Sequence, residues 1–176
     1  SRRLPRLISV TEPWLRPDWD LPDTVQSIVT TRDGGVSEAP YGALNVATHV
    51  ADQPAHVAEN RRRLETLAEL PASPLWLQQV HGNRVLLADA NSAREQQADA
   101  VYTRDRHCVL TIMTADCLPI LLCSADGEEI AAVHAGWQGL AGNIINKAVA
   151  RFSATKISAW LGPAIGPCHY EVDERV

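Results

Sequence analysis

The sequence predicts an α+β fold in which helices pack on mixed β-sheets. Three observations support this class: short segments rich in β-branched residues are bounded by turn residues, two longer stretches carry apolar residues at helical spacing, and the strands come in runs without a regular strand–helix alternation. A chain of 176 residues is long enough to bury a core without disulfide support. We therefore expect a single domain over residues 1–176.

Composition narrows the class of protein further. Hydrophobic residues make up 45% of the chain and charged residues 21%, as in globular proteins and unlike disordered or fibrous chains. The net charge of −5 is unfavourable for binding nucleic acid. The four cysteines form no CxxC pair, and no apolar run has the length of a membrane span or a signal-peptide core. We expect a cytoplasmic protein with reduced thiols and with no membrane or nucleic-acid partner.

The first part of the chain predicts one strand and one helix. Residues 1–24 hold four prolines and are expected to form an irregular lead-in. The β-branched segment Val25–Thr31 predicts a strand that a following Asp-Gly-Gly sequence ends. The segment Pro54–Leu70 predicts a helix with Asp52 as its N-cap. Arg61 is unusual because it lies on the helix face that is otherwise apolar.

The rest of the chain predicts seven strands and one helix. A hairpin turn signal at Asp126–Gly127 separates the fifth of these strands from the sixth. Apolar residues four positions apart predict a single amphipathic helix over Gly139–Phe152. The predicted strands are Leu75–Val80, Arg84–Ala88, Val101–Thr103, Cys108–Thr114, Ile120–Cys123, Ile130–His134 and Ile157–Leu161.

Three side chains with metal-binding or nucleophilic chemistry lie at strand ends. His81 follows one predicted strand, Cys117 interrupts two apolar strands, and His134 ends another strand before a glycine. Strand ends often carry functional sites because the loops there converge. Two imidazoles and one thiolate suit zinc, with a fourth position open to water, whose pKa zinc lowers toward about 7.

Two other interpretations of these residues stay open at this point. Cys117 and His134 can act without metal as a thiolate nucleophile and its base. Alternatively, the cysteine is a small buried apolar residue and the histidines are turn residues. The gaps of 36 and 17 residues between the three positions match no short zinc signature, so spacing does not decide among the interpretations.

Several neighbouring residues are candidates for binding substrate or moving protons. Asp116 precedes Cys117 and is a candidate proton shuttle or an orienting carboxylate, although a turn aspartate is the common alternative. Asp99 receives only the turn interpretation. Arg32, beside a glycine pair, and Arg61 are candidate anion ligands or ordinary surface charges. Trp137 packs in the core or forms the wall of a site that stacks a flat ring.

Several sequence motifs resemble one bacterial family. The segments are WLQQVHGN (76–83), TADCLPILLC (114–123), AAVHAGWQGL (131–140) and WLGPAIGPCHYEV (160–172), with TTRDGGVSEAPYGALNVATHVAD (30–52) and AENRRRL (58–64) before them. They are similar, in the same order, to motifs of the laccase-domain family. That family was once called multicopper polyphenol oxidase and is now described as purine nucleoside phosphorylase with adenosine deaminase activity. One branch is described as a peptidoglycan editing factor.

The resemblance implies a fold, a metal and a reaction. It implies the laccase-domain, cysteine-hydrolase-like fold and makes His81, Cys117 and His134 the metal ligands and catalytic residues. Zinc is the expected metal, with copper as the alternative. The implied reactions are phosphorolysis of adenosine or inosine to base and ribose 1-phosphate, and deamination of adenosine. The expected partners are therefore a purine nucleoside and phosphate, with Arg32 and Arg61 as candidates for holding the phosphate.

Two departures from the family pattern qualify these expectations. Gln138 stands where family members usually have arginine, which weakens the expectation of phosphorolysis. The family also normally continues beyond the position of Val176, so we expect a chain that lacks the C-terminal part of the family domain.

Three alternative functions remain beside the nucleoside enzyme. One is a metal-independent cysteine hydrolase acting on an amide or a cell-wall precursor. Another is copper-dependent oxidation of phenols, which three ligands and a single methionine, Met113, support poorly. The last is a structural zinc module without catalysis. The sequence leaves the oligomeric state open.

Overall fold

The computed structural model describes residues 14–89, 91–92 and 96–174, and it has the predicted α+β class. None of the helices in these ranges combines the length and apolar character that crossing a bilayer requires. The helices are α1 (Pro54–Leu67), α2 (Trp137–Ala141) and α3 (Ile144–Val149). The strands are β1 (Trp14–Leu15), β2 (Val29–Thr30), β3 (Leu77–Gln78), β4 (Val85–Ala88), β5 (Gln96–Gln97), β6 (Ala100–Thr103), β7 (Leu118–Ser124), β8 (Ile130–Ala135) and β9 (Ile157–Leu161).

Packing divides the chain into two compact units. Unit 1 comprises Ser1–Asp18 with Ser27–Leu64, and unit 2 comprises Trp19–Gln26 with Glu65–Val176. In unit 1, β1 pairs antiparallel with β2. The fully buried Asn60 of α1 holds the loop that precedes the helix, because its amide donates to the carbonyls of Ala43 and Asn45 while its oxygen accepts the N–H of Val36.

Unit 2 is built on a mixed five-stranded sheet with the strand order β4-β6-β8-β7-β9. The β4–β6 pair is parallel, and the other three pairs are antiparallel. The prediction of a mixed sheet is therefore confirmed. A separate parallel pair joins β3 to β5.

Apolar side chains cover both faces of this sheet. Because side chains alternate along a strand, neighbouring residues of β6 and β8 contribute to different clusters. One cluster contains Val133 together with Ile144 and Ala148 of α3, so this short helix covers that face. The other contains Val101 and Ala132 with residues of the segments around β3 and β4. The sheet is therefore packed on both faces, and it fixes the positions of the polar side chains at its strand ends.

The predicted helix over Gly139–Phe152 is wrong as a single element. The structure has α2 and α3, separated by Gly142 and Asn143. Asn143 has a left-handed backbone with φ of 61°, which ends one helix and begins the next. A side chain at Gly142 would lie 2.5 Å from the amide nitrogen of Asn83, which itself donates to the Gly142 carbonyl at 2.8 Å. The helical spacing of the apolar residues therefore does not predict the break, because the break depends on the contact of Gly142 with the distant Asn83.

The predicted strand over Cys108–Thr114 is also wrong. Leu110 makes only an isolated bridge to Leu75, and no strand spans the segment. The Leu75 N–H donates to the Val109 carbonyl at 2.9 Å, and side chains make further hydrogen bonds in place of a continuous ladder. The Thr111 hydroxyl donates to the carbonyl of Leu75, and the Gln79 amide both donates to and accepts from the backbone of Met113. The apolar residues of the segment pack on the second cluster without forming a sheet ladder.

The remaining elements differ from prediction mainly at their ends. The helix predicted over Pro54–Leu70 ends at Leu67, and the strands predicted over Val25–Thr31 and Leu75–Val80 shrink to two residues each. Of the lead-in over residues 1–24, residues 1–13 lie outside the described residues, and Trp14 begins β1. Asp52 does not cap the first turn directly. Its carboxylate accepts the N–H of the next residue and a hydrogen bond from the Ser37 hydroxyl.

Candidate metal centre

Three sequence-predicted residues meet at one end of the sheet in unit 2. His81 lies in the loop between β3 and β4, Cys117 immediately precedes β7, and His134 is near the end of β8. The antiparallel register pairs Pro119 with His134, which brings the start of β7 beside the end of β8. The ligand atoms of the three residues all lie within 4.8 Å of one another. The rings of His81 and His134 are in edge contact, with centroids 4.8 Å apart.

The three side chains converge because Gly136 has none. A Cβ at this position would lie 3.1 Å from Cys117 Sγ, 3.1 Å from His81 Cδ2 and 3.8 Å from His134 Cε1. The two distances of 3.1 Å are tighter than ordinary van der Waals contact, whereas 3.8 Å is an ordinary contact. Gly136, which follows β8, therefore leaves the space in which the thiol and the two imidazoles approach each other.

A buried carboxylate, Asp99, lies directly behind this cluster. Asp99 has no exposed surface, and its Oδ1 lies 2.9 Å from Nδ1 of the buried His134. The backbone joins the same two residues, because the His134 N–H donates to the Asp99 carbonyl at 2.7 Å. With Nδ1 facing the carboxylate, Nε2 is the His134 nitrogen that remains for a metal.

Asp99 also holds the turn that carries His81. Its Oδ1 accepts the His81 N–H at 2.8 Å, and its Oδ2 accepts the Gly82 N–H at 2.8 Å. The Val80 N–H is 3.2 Å from both oxygens. His81 itself has φ of 59°, a left-handed conformation that is uncommon for a residue with a side chain. One carboxylate thus fixes both histidines.

The electrostatics of the cluster favour a charged Asp99 and a neutral Cys117. Burial raises the pKa of Asp99, but hydrogen bonds from His134 and from the N–H groups of Gly82, Val80 and His81 outweigh it, so this pKa lies below its ordinary value. Burial and the negative charge of Asp116 raise the pKa of the Cys117 thiol. A cation beside Cys117 would reverse this effect, because metals bind the thiolate.

The donor set fits a soft or borderline metal ion. Two imidazole nitrogens and one thiolate are typical ligands of zinc and of copper, and three protein ligands leave a position open for another ligand. The space beside Gly136 and the carboxylate behind His134 are both consistent with such a centre. His81, Cys117 and His134 are the residues that would hold the ion.

Two other candidates lie in sequence beside the cluster. Asp116 is exposed next to Cys117, and its backbone carbonyl accepts the N–H of Ile165 at 2.9 Å. Trp137 is the first residue of α2 and is 36% exposed, so it does not belong to the buried core. Gln138, the departure from the family pattern, is exposed beside it.

Arg32 and Arg61 belong to unit 1. The Nε of Arg32 donates to the carbonyl of Gly42 at 2.8 Å, and the Nε of Arg61 donates to the carbonyl of Val46 at 2.9 Å. The Nε of each guanidinium is therefore directed at a loop carbonyl. Their function as phosphate ligands stays a prediction.

The sequence interpretation missed two residues of the cluster. The sequence predicts a turn aspartate at Asp99, yet Ala98, Asp99 and Ala100 are all fully buried. A carboxylate between buried alanines signals a buried partner, because an unpaired charge is too costly in a core. For Gly136 the sequence predicts only the end of a strand. No local sequence signal shows that two ligands flank it.

The chain matches a known family along most of its length. Residues 26–176 match the family described as multi-copper polyphenol oxidoreductase laccase. The chain is 46% identical over 162 residues to the purine nucleoside phosphorylase YfiH of Escherichia coli (strain K12), covering 91% of this chain and 67% of that protein. A purine nucleoside phosphorylase of Pseudomonas aeruginosa is 47% identical over 165 residues, covering 93% and 66%. The chain thus spans about two thirds of the length of these relatives.

Solved structures give the same assignment. A Neisseria meningitidis protein described as DUF152 superposes with a TM-score of 0.87 and is 37% identical, covering 93% of this chain and 68% of that one. YlmD from Geobacillus stearothermophilus superposes with a TM-score of 0.83 at 29% identity, covering 96% and 68%. The fold and the sequence therefore lead to one conclusion: the chain belongs to the family described as multi-copper polyphenol oxidoreductase laccase.

Proposed function

We propose that the protein is a zinc-dependent purine nucleoside enzyme that cleaves adenosine or inosine with phosphate and also deaminates adenosine. The observation that carries the proposal is the convergence of His81, Cys117 and His134 within 4.8 Å. The names of the curated relatives, purine nucleoside phosphorylases, support the substrate class. The expected compartment is the cytoplasm, where nucleosides and phosphate are both present.

Deamination requires a proton transfer, which we assign to a residue of this chain. When bound, zinc supplies a Lewis acid and a means of activating water at neutral pH. In the reaction, water adds to C6 of adenine, the bond from C6 to the amino nitrogen breaks, and ammonia leaves. Asp116 beside Cys117 is the proposed proton shuttle, which takes a proton from the attacking water and delivers it to the leaving nitrogen. Trp137 is the proposed stacking surface for the purine.

Phosphorolysis requires an anion site in addition. A phosphate oxygen forms a bond to C1′ of the ribose, the glycosidic bond to N9 breaks, and the leaving purine takes up a proton. Arg32 and Arg61 are the proposed phosphate ligands, because a guanidinium binds phosphate through paired donors. Since Gln138 replaces the usual arginine of the family, we expect phosphorolysis to be the slower of the two reactions.

A second candidate function rests on a different observation. Cys117, His134 and Asp99 provide a thiol, an imidazole and a carboxylate that orients it, with 2.9 Å between Oδ1 and Nδ1. This is the arrangement of a nucleophile, its base and an orienting group, as in a cysteine hydrolase acting on an amide or a cell-wall precursor. We place it second because burial and Asp116 raise the pKa of the Cys117 thiol.

Product analysis tests the proposal. Purified protein is incubated with adenosine and with inosine, with and without phosphate, and the products are identified by chromatography. We expect inosine from adenosine and a slower, phosphate-dependent release of free base. The Cys117→Ala variant should lose both reactions and its bound metal. Cys168→Ala, at an exposed cysteine outside the cluster, should keep them. Full activity in folded Cys117→Ala would overturn the proposal.

Metal removal separates the two candidates. If a chelator abolishes activity and added zinc restores it, the metal-dependent enzyme is supported. Activity that persists in metal-free protein and is lost on alkylation of Cys117 would instead establish the cysteine hydrolase. Elemental analysis of the purified protein decides between zinc and copper.

A further inference from the structure

We infer that Asp99 is a positioning residue that presents the Nε2 of His134 to the metal and at the same time fixes the backbone turn of His81. This inference rests on the proposed metal centre and adds a residue that neither the cysteine nor the histidine motifs contain. Asp99 touches neither substrate nor metal in this assignment. It acts through the two histidines that do bind the ion.

The contact with Asp99 determines the tautomer of His134. An ionised carboxylate has acceptors only, so a neutral His134 must donate from Nδ1 across the 2.9 Å contact. Its Nε2 then carries the lone pair that a metal requires. Both side chains are buried, at 3% exposure for His134 and 0% for Asp99, so water does not compete for this hydrogen bond.

Asp99 also fixes the loop that carries His81. The two Asp99 oxygens accept the N–H groups of His81 and Gly82 at 2.8 Å each. These bonds hold a residue whose backbone φ of 59° is otherwise unfavourable. His81 is exposed, so burial does not hold it in place. Its position therefore depends on the buried carboxylate beneath it.

An amide cannot replace this carboxylate without a conflict. Every polar group that faces Asp99 at these distances is a donor, so Asp99→Asn must direct its NH₂ at one of them. If the NH₂ faces His134, the imidazole must accept at Nδ1 and carry its proton on Nε2, where the metal binds. If it faces Gly82, the turn of His81 is disturbed. Both orientations weaken the metal centre.

Glu129, which immediately precedes β8, provides a matched control. It is 2% exposed, and its carboxylate accepts hydrogen bonds from the Tyr102 hydroxyl and from the N–H groups of Ser153 and Ala154. It precedes β8, whereas His134 lies near the other end of that strand. Glu129→Gln thus removes a buried, hydrogen-bonded charge in unit 2 without touching the metal ligands.

Metal affinity is the first readout. Zinc affinity of the parent, Asp99→Asn and Glu129→Gln is measured by competition with a chromophoric chelator, and Co²⁺ absorption reports the geometry of the centre. We expect Asp99→Asn to weaken zinc binding by about 10–100-fold and to change the Co²⁺ spectrum. Glu129→Gln should keep both at parent values even if its melting temperature falls. Equal zinc affinity in Asp99→Asn and the parent, or equal weakening in both variants, overturns the inference.

The tautomer is the second readout and needs no variant. In metal-free parent protein labelled with ¹⁵N-histidine, the neutral form of His134 should be the Nδ1–H tautomer. Finding the Nε2–H tautomer overturns the inference even if Asp99→Asn fails to fold. A parent that binds no zinc overturns the proposed centre and this inference together. Nucleoside turnover is not used in either readout, so a wrong substrate class leaves both tests valid.

Discussion

The absence of a side chain at Gly136 leaves the space that the candidate metal ligands occupy. Gly136 has a φ of −70°, which any residue adopts, so an alanine there meets no backbone strain. The added methyl group would instead lie 3.1 Å from both Cys117 Sγ and His81 Cδ2. We expect Gly136→Ala to weaken zinc binding about tenfold, because two ligands must move apart. Chelator competition measures the change.

Gly166→Ala is the control for this prediction. A Cβ at Gly166 meets no other atom within 4 Å, so zinc affinity should stay at the parent value. If Gly136→Ala binds zinc as tightly as Gly166→Ala, the space beside Gly136 does not limit the centre.

The sequence identified the three ligand candidates because their chemistry and their strand-end positions were both visible. It did not identify Asp99, whose importance depends on a partner 35 positions further along the chain. A buried hydrogen bond between distant residues has no local pattern, and the turn interpretation was the simpler one. Arg32 and Arg61 stay predictions, since the contacts of Nε to loop carbonyls do not reveal an anion.

A substitution at Asn143 can test why the chain breaks between α2 and α3. Asn143 adopts φ of 61°, and asparagine tolerates this region better than other residues with a Cβ. We expect Asn143→Ala to lower the free energy of unfolding by about 1 kcal/mol. Asn143→Gly should lower it less, because glycine adopts the left-handed region without strain. Urea denaturation measures both, and equal losses would show that the backbone conformation is not the cause.

The loop after α3 is attached to the sheet by Glu129, which makes the stability of unit 2 depend on pH. Burial raises the pKa of Glu129, but hydrogen bonds from Tyr102, Ser153 and Ala154 outweigh it and lower the pKa from 4.5 to about 2. Its stabilising contribution is therefore complete above the unfolded pKa of 4.5 and is lost as pH falls toward 2. Glu129→Gln should cost about 2 kcal/mol at neutral pH.

The pH dependence is the distinguishing result for this prediction. The difference in free energy of unfolding between the parent and Glu129→Gln should shrink as the pH falls from about 4.5 toward 2. Denaturant titrations over this range measure the difference. A difference that is constant with pH would mean that the carboxylate charge contributes nothing.

Element prediction from the sequence succeeded where local pattern and tertiary role agree. The strands around Val101 and Ile157 and most of α1 follow β-branched or helical spacing, and the structure confirms them. The strand predicted over Cys108–Thr114 failed because its apolar residues pack on the core while Gln79 and Thr111 take the hydrogen bonds. A side chain that replaces a strand partner cannot be read from hydrophobicity.

At the scale of the whole molecule, metal binding should be coupled to folding. The three ligands come from three segments of unit 2 that are distant in sequence, and an unfolded chain does not hold them together. Zinc at about 100 times its dissociation constant should add about 2.7 kcal/mol of stability and raise the melting temperature by about 5–10 °C. A chelator should reverse the shift, and calorimetry measures it.

The Cys117→Ala variant is the control for this coupling. It should melt at the same temperature with and without zinc, because a ligand of the centre is missing. Magnesium, which prefers oxygen ligands, should not shift the parent. If Cys117→Ala responds to zinc as the parent does, the ion binds elsewhere on the chain.

The pairing of β7 with β8 also bears on how such centres can be found in other sequences. Cys117 precedes one strand and His134 lies near the end of the other, so the hydrogen-bonded ladder sets their separation. A longer or shorter hairpin loop at the far end of the pair would change the count of residues between them and leave their distance unaltered. Metal-site searches that require fixed gaps will overlook centres of this kind. Searches that first align two antiparallel strands and then inspect the residues at their shared end will recover them.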